Sequence, residues 1–210
     1  MNKIFIIGNG GHAKVVKDVI NASSKYQIAG HLDDAIKEKH MVDGLIYDSL
    51  SNIDEYRNDF LFHIGIGNNL VREKIFEELD IKIEKFPVLI HPSAVIGSSA
   101  QIGLGSVVMP NAVINAEAEI GNHVIVNTAS VIEHDNKISD YTHVSPNATL
   151  TGNVTLGKYS QVGAGATIIP NKRVGKNVIV GAGATVISNI ENSCIVAGTP
   201  AKLIRSDRDE

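Results

Sequence analysis

The chain has 210 residues, 43% of them hydrophobic and 20% charged, with 19 Lys and Arg against 23 Asp and Glu for a formal net charge of −4. No basic run has the density that a nucleic acid or an anionic membrane surface demands, and the apolar start Ile4-Phe5-Ile6-Ile7 stops at Gly8, far short of a signal core or a bilayer span. The single cysteine, Cys194, excludes an internal disulfide and suits a reducing compartment, so the expectation is a cytoplasmic protein with no nucleic-acid partner and no membrane insertion.

Lys3 to Ile7 reads as a buried strand, followed by the glycine-rich turn Gly8-Asn9-Gly10-Gly11-His12-Ala13 and by Val15, Val16, Val19 and Ile20 at helical spacing to about Ser23. Glycines let a backbone approach a phosphate, and a helix N-terminus offers it free N–H groups and the positive end of a dipole. A second strand is expected over 27–32, ending in Asp33-Asp34. A third, over 60–66, leads through Gly67-Asn68-Asn69 into a helix over about 70–79. All three loops then lie at the carboxyl ends of parallel strands, where open α/β sheets bind ligands. Gly8, Gly10 and Ala13 also fit a dinucleotide spacing, but about 85 residues precede the repeats described next, room for one mononucleotide half and not for two. On these residues alone a tight turn with no ligand, and a solvated turn at Asp33-Asp34, stay open.

From Ile90 to Val186 every sixth residue is Ile, Val or Leu, seventeen in succession. Two positions before each stands a mostly small residue, such as Ala94, Ala112, Ser130, Ala148 or Ala166, and glycine often follows it, as at Gly97, Gly103, Gly121, Gly157, Gly163, Gly175 and Gly181. A fixed short period means a solenoid. The expected form is a triangular β-helix in which each hexad gives one short strand and one corner, with the branched aliphatic inside and the glycines supplying positive φ at the turns. Pro87 and Pro92 bracket the passage into it, which divides the chain into an α/β Rossmann-like half domain, residues 1–86, and a parallel β-helix with a C-terminal tail, residues 87–210.

Three of the eight histidines fall in the repeats, His123, His134 and His143. By register His134 lies two past an inward aliphatic and His143 one before, so both are expected to face outward, on a solvated surface or in a groove between protomers. In Val131-Ile132-Glu133-His134-Asp135 the imidazole is flanked by two acids. A neighbouring carboxylate holds such a ring in one tautomer and stabilises its protonated form, as a general base near neutral pH requires. His143 follows nine residues later, half a coil, so the two rings belong to different sides of the triangle.

The repeats resemble those of the hexapeptide-repeat acyltransferases, whose left-handed parallel β-helices form trimers and carry acyl-CoA in grooves between subunits, so the resemblance implies a left-handed coil for residues 87–210. Taken with the three loops and Gly65-Ile66-Gly67-Asn68-Asn69, the whole chain is similar to the family containing the UDP-4-amino-sugar N-acetyltransferases of bacillosamine synthesis and the sialic-acid O-acetyltransferases. That resemblance implies a homotrimer that acetylates the 4-amino group of a nucleotide-linked amino-dideoxy sugar, a UDP sugar first, in surface glycan synthesis. The acceptor would be held at Asn9, Gly10, Gly11, His12, Asp33, Asp34, Gly67, Asn68 and Asn69. His134 would be the proton acceptor, Asp135 the acid that raises its basicity and Glu133 an accessory; the family carries Glu where this chain has Asp135. His143, Ala164 and Ala182 match positions that contact acetyl-CoA, and Val196-Ala197-Gly198-Thr199-Pro200-Ala201-Lys202 resembles the carboxyl-terminal signature, with Lys202 near a CoA phosphate. Acetyl-CoA is the expected co-substrate and no metal is expected. The rival readings are O-acetylation of a sialic acid or related hydroxyl, a zinc hydratase of the carbonic-anhydrase kind ligated by His123, His134 and His143 across an interface, and a non-catalytic nucleotide-sugar-binding scaffold.

Overall fold

The apolar run at the start of the chain forms β1 (Asn2–Ile7), and the glycine-rich turn leads directly into α1 (Gly11–Ser23). The structure, a computed structural model, describes residues 2–206; Met1 and residues 207–210, at the outer ends of the two expected ranges, lie outside the described residues. There follow β2 (Tyr26–Leu32), β3 (His40–Val42), β4 (Leu45–Asp48), β5 (Leu61–Ile64) and α2 (Asn69–Leu79). The sheet order is β3-β4-β2-β1-β5, with every neighbouring pair parallel except β3 and β4. That antiparallel pair is an addition to the elements expected from sequence. Its turn is Asp43-Gly44, both at positive φ (51° and 78°), the two-residue form whose twist matches a hairpin. β1 is central and buried on both faces: Ile4 and Ile6 pack with Ala13, Val16 and Ile20 of α1, while Phe5 and Ile7 pack with Phe62, Ile64, Tyr56 and Phe86.

From Leu89 onward the chain winds as a three-faced parallel β-helix whose strands are two residues long. Face 1 begins at Leu89–Ile90, face 2 at Val95–Ile96 and face 3 at Gln101–Ile102. Partners in each ladder are eighteen residues apart, as in Ile125 with His143, Val131 with Thr149 and Glu119 with Lys137. The second residue of each strand points inward, and every one from Val108 to Val186 is at most 5% exposed. Burial of this kind contributes roughly 1.5–3 kcal/mol per side chain before conformational entropy is set against it. After the last coil, Cys194–Ala197 extends face 1 and Lys202–Ser206 returns antiparallel to it.

The glycines after the inward aliphatics serve a different purpose from the one their position suggests. Positive φ falls instead two residues further on, at Asn111, Glu117, His123, Ala129, Asp135, Tyr141 and their successors, with Gly105, Gly165 and Gly183 in the same place. Gly103 and Gly157 have ordinary φ, and a Cβ there would lie 2.5 Å from the carbonyl carbons of Gly121 and Gly175 in the next coil. Stacking distance, not turn geometry, therefore excludes a side chain. Gly157→Ala should lose about 1–3 kcal/mol by overpacking, whereas Asn147→Gly, which relieves a φ of 56°, should change stability by less than about 1 kcal/mol. Equal denaturation midpoints for the two variants would contradict this assignment.

Candidate functional site

The three loops meet at one edge of the sheet, as their positions predict. Gly8 has φ +104°; its N–H donates to Leu32 O at 2.7 Å and its carbonyl lies 3.0 Å from His31 Nδ1, so the first loop is tied to β2. Asn9 N donates to Asp33 Oδ2 at 2.8 Å and Ala35 N to Asp33 Oδ1 at 2.9 Å. Asp33 is thus the latch between the first and second loops, while Asp34 beside it is exposed. Gly10, the N-cap of α1, supplies no side chain, no acidic residue occupies the first turn, and a Cβ added at Gly10, Gly11 or Gly67 would meet nothing within 4 Å. The helix end is open to an anionic ligand. Gly65 lies deeper, where a Cβ would stand 2.8 Å from Ile6 Cγ2 and 3.0 Å from Ala13 Cα, so the third loop closes tightly on α1.

Three side chains expected to face an acceptor are engaged elsewhere. Asn68 Oδ1 accepts from Val71 N at 3.0 Å as the N-cap of α2. Asn69 is buried, its Nδ2 donating to Tyr159 O at 2.9 Å and its Oδ1 accepting from Arg72 Nη2 at 2.8 Å. The ring of His12 is packed in the joint between the domains, with Nε2 buried and unpartnered. What the third loop offers a ligand is backbone.

The joint is centred on Arg72, 1% exposed. Its guanidinium donates to His123 O (2.8 Å) and Thr142 O (3.2 Å) on the coils, to Ile66 O (3.0 Å) and Gly67 O (3.2 Å) in the third loop, and to Asn69. Beside it Glu73 pairs with Lys158 at 2.6 Å and accepts from Tyr159 Oη, and Phe76 packs on His123. His123, Tyr141 and Tyr159 are equivalent turn residues of successive coils, so α2 lies along one corner. Leu89, Val107, Met109 and Ile125 meanwhile cover Ile4, Ile6 and α1. Burial, then the charge of Arg72, pushes His123 down to about 3 and His12 to about 4. Burial also drives His143 to about 3 and His63 well below its ordinary value. Burial lowers Arg72 itself to about 10, leaving it charged. His123, 1% exposed beneath Phe76, Phe86 and Tyr141, is out of reach of a neighbouring subunit, which removes it from the zinc ligands of the rival hydratase reading. Among the described residues no group of three or more His, Cys, Asp or Glu is placed to hold a metal ion.

The remaining candidates sit on two corners of the helix. Between faces 2 and 3, His134 is 61% exposed and its Nδ1 lies 2.6 Å from Asp135 Oδ2. Nδ1–H donates to the carboxylate, so Nε2 carries the free lone pair. Glu133 is turned to Asn115, whose Nδ2 donates to it at 2.9 Å. Between faces 1 and 2, Ala164 and Ala182 are exposed and stacked, Gly183 N donating to Ala164 O at 2.8 Å. His143 stands on the rim of that corner, where Asn127 Nδ2 donates to its Nε2 at 2.9 Å. Asn127 is not among the site residues expected from sequence. Its only sequence signal is a position sixteen residues before His143, which the coil period brings alongside. Lys202 is exposed at the start of the last strand. His134 thus lies at the corner of faces 2 and 3 and His143 on face 1 beside its corner with face 2, as half a coil of separation requires.

Residues 3–79 match the family described as the PglD N-terminal domain. Over 112 residues the chain is 44% identical to the UDP-N-acetylbacillosamine N-acetyltransferase of Bacillus subtilis strain 168, a match covering 52% of this chain and 52% of that protein; the chain thus matches about half the length of this curated relative. Its fold is that of the acetyltransferase domain of PglB from Neisseria gonorrhoeae FA1090, at a TM-score of 0.88 and 37% identity over 97% of this chain and 100% of that one. It is equally close to a perosamine N-acetyltransferase mutant from Caulobacter crescentus in complex with CoA and GDP-perosamine, with a TM-score of 0.90 and 31% identity over 98% of both chains.

The joint makes stability depend on pH. His12, His63, His123 and His143 have folded pKa values below the ordinary 6.5, so as pH falls the unfolded chain takes up their protons before the native one does. The stabilisation is complete above about pH 6.5 and is lost as pH falls toward the folded values, at up to about 1.4 kcal/mol per pH unit for each group. The melting temperature should fall between pH 7 and pH 4.5. His123→Phe, which fills the same aromatic slot without a titrating group, should flatten that fall. A melting temperature constant over the window would contradict a neutral joint.

Proposed function

The chain belongs to the hexapeptide-repeat N-acetyltransferases of nucleotide-linked amino sugars, and from that premise we propose that it transfers the acetyl group of acetyl-CoA to the 4-amino group of a nucleotide-linked amino-dideoxy sugar, a UDP sugar first, in surface glycan synthesis. The observation that carries the reading is the exposed His134 with Nδ1 held by Asp135 at 2.6 Å. Its Nε2 takes a proton from the sugar nitrogen as that nitrogen attacks the thioester carbonyl. The C–N bond forms, the C–S bond breaks, and the departing CoA thiolate finally receives the proton. Asp135 fixes the tautomer and stabilises the imidazolium. Asn127 and His143 line the acetyl-CoA side with Ala164 and Ala182, and Lys202 faces the phosphates. His143 is held neutral by burial, with Nε2 accepting from Asn127 and Nδ1–H left as a donor. The acceptor's phosphates meet the backbone of Asn9, Gly10 and Gly11 at the α1 N-terminus, with Asp34 and Gly67 flanking the sugar or base.

A cytoplasmic homotrimer is the assembly this reading requires. No described helix is long and apolar enough to cross a membrane. The outward column of face 2 is Val95, Val113, Val131, Thr149, Thr167 and Thr185, without a charge, while face 3 carries Glu119, Lys137 and Arg173. A second copy laid on face 2 buries little polar surface and brings the His134 corner of one protomer to the His143 corner of the next. Sedimentation equilibrium should give about three times the 22.5 kDa chain mass.

Thiol release from acetyl-CoA with UDP-, dTDP- and GDP-linked 4-amino sugars and free sialic acid tests the activity. His134→Ala should lower kcat by about 10²–10⁴ at saturating substrates with acetyl-CoA binding retained, and Asp135→Asn should lower it less. Gly10→Val with Asp34→Ala should raise KM for the nucleotide sugar and leave that for acetyl-CoA nearly constant. Wild-type kcat in His134→Ala, with chemistry limiting the rate, would contradict the proposal, and turnover of sialic acid alone would favour a hydroxyl acceptor.

A further inference from the structure

The catalytic turn contains a buried polar residue that the fold does not require. Asn136 is fully buried, and its Nδ2 donates to Glu133 O at 2.7 Å, to Thr151 O of the next coil at 2.9 Å and more weakly to His134 O at 3.4 Å. In the coils before and after, the same interior position is held by Ala118 and Val154, both fully buried. The Asn136 Oδ1 atom is buried with no partner. An unsatisfied buried carbonyl is a standing cost, yet the one coil whose outer turn carries Glu133-His134-Asp135 bears it. Hydroxyls at equivalent corners satisfy their own oxygens: Ser130 Oγ and Thr142 Oγ1 each donate to one carbonyl three residues back, while Ser106 Oγ and Ser160 Oγ each donate to a carbonyl of the next coil and accept from an N–H, so Asn136 alone among them reaches three carbonyls and leaves an oxygen without a partner.

On the outside of the same turn lies Gly152, one coil further on. A Cβ there would stand 2.6 Å from His134 Cε1 and 2.7 Å from Nε2, and the three nearest atoms all belong to that ring. Its φ is ordinary, so alanine fits the backbone, and what must move is the imidazole at the end of its side chain. The atom displaced is the nitrogen that Asp135 leaves free.

We propose that Asn136 and Gly152 are positioning residues for His134: the carboxamide fixes the turn from inside the helix, and the missing side chain leaves the ring the one placement in which Nδ1 meets Asp135 and Nε2 faces the acceptor. Neither residue touches substrate. The proposal rests on His134 as the base, and it separates two jobs at one turn, because Ala118 shows that alanine suffices for packing at the Asn136 position.

The test uses the full-length protein with Gly152→Ala, Asn136→Ala and His134→Ala. Readouts are kcat at saturating acetyl-CoA and amino sugar, both KM values, the melting temperature, and the downfield proton resonance of the His134 Nδ1–H bond to Asp135. Gly152→Ala should keep its melting temperature and KM for acetyl-CoA, lose about 10²-fold in kcat, the effect of roughly an ångström of misplacement, and lose or shift the resonance. Asn136→Ala should lower kcat per folded molecule and broaden the same resonance. Gly152→Ala does not depend on the fold tolerating the interior change. Wild-type kcat and an unmoved resonance in Gly152→Ala, with His134→Ala inactive, would overturn the positioning proposal and leave the base in place. Wild-type kcat in His134→Ala would overturn the base itself.

Discussion

The aliphatic column inside the β-helix is the constraint on which the rest depends. Two-residue strands are too short to hold together as separate ladders, and they persist because each delivers one Ile, Val or Leu to an axis shared by every coil. Once that axis is filled, the repeat of eighteen residues places turn residues in columns with little freedom. Asn127 comes beside His143, Gly152 beneath His134, and Ala164 over Ala182 by this stacking alone. The site is made of positions that are remote in sequence and separated by whole coils or simple fractions of one.

The first domain is fixed to this frame by unusual means. A buried guanidinium ordinarily requires a carboxylate partner, but Arg72 is compensated by four backbone carbonyls and the Asn69 side-chain oxygen. Two of those carbonyls belong to the third loop and two to the coils, so the same cation that joins the domains also sets the distance between that loop and the His143 strand. Its positive charge, added to burial, keeps His12, His123 and His143 neutral. A carboxylate in place of the carbonyls would have cancelled that field.

The inward register was legible because a period of six has a single apolar member per hexad, and burial removes any ambiguity about which one faces the axis. The reason for the glycines was not legible. Sequence shows that a side chain is absent, while only coordinates distinguish a turn that needs positive φ from a coil that passes within 2.5 Å of its neighbour. Asp43-Gly44 between Met41-Val42 and Leu45-Ile46 carries a hairpin signal in the sequence, but strands this short have too few residues to show an alternation of their own. Asn69 looked like a loop residue poised for a ligand because its partners, Tyr159 and Ser160, lie some ninety residues away. Asn136 gave no signal, since a polar residue in the small-residue column reads as a tolerated substitution until its three carbonyl partners are seen.

The central claim is that the acceptor is a nitrogen and that His134 takes its proton. The measurement that meets it most directly is the chemistry of the product formed from acetyl-CoA and a UDP-linked 4-amino sugar, resolved by proton NMR and by treatment with neutral hydroxylamine. The account predicts one acetyl group per sugar, carried as an amide on the 4-nitrogen, stable to hydroxylamine and formed about 10²–10⁴ times more slowly by His134→Ala. A hydroxylamine-labile ester, or an amide formed equally fast by His134→Ala, would contradict it.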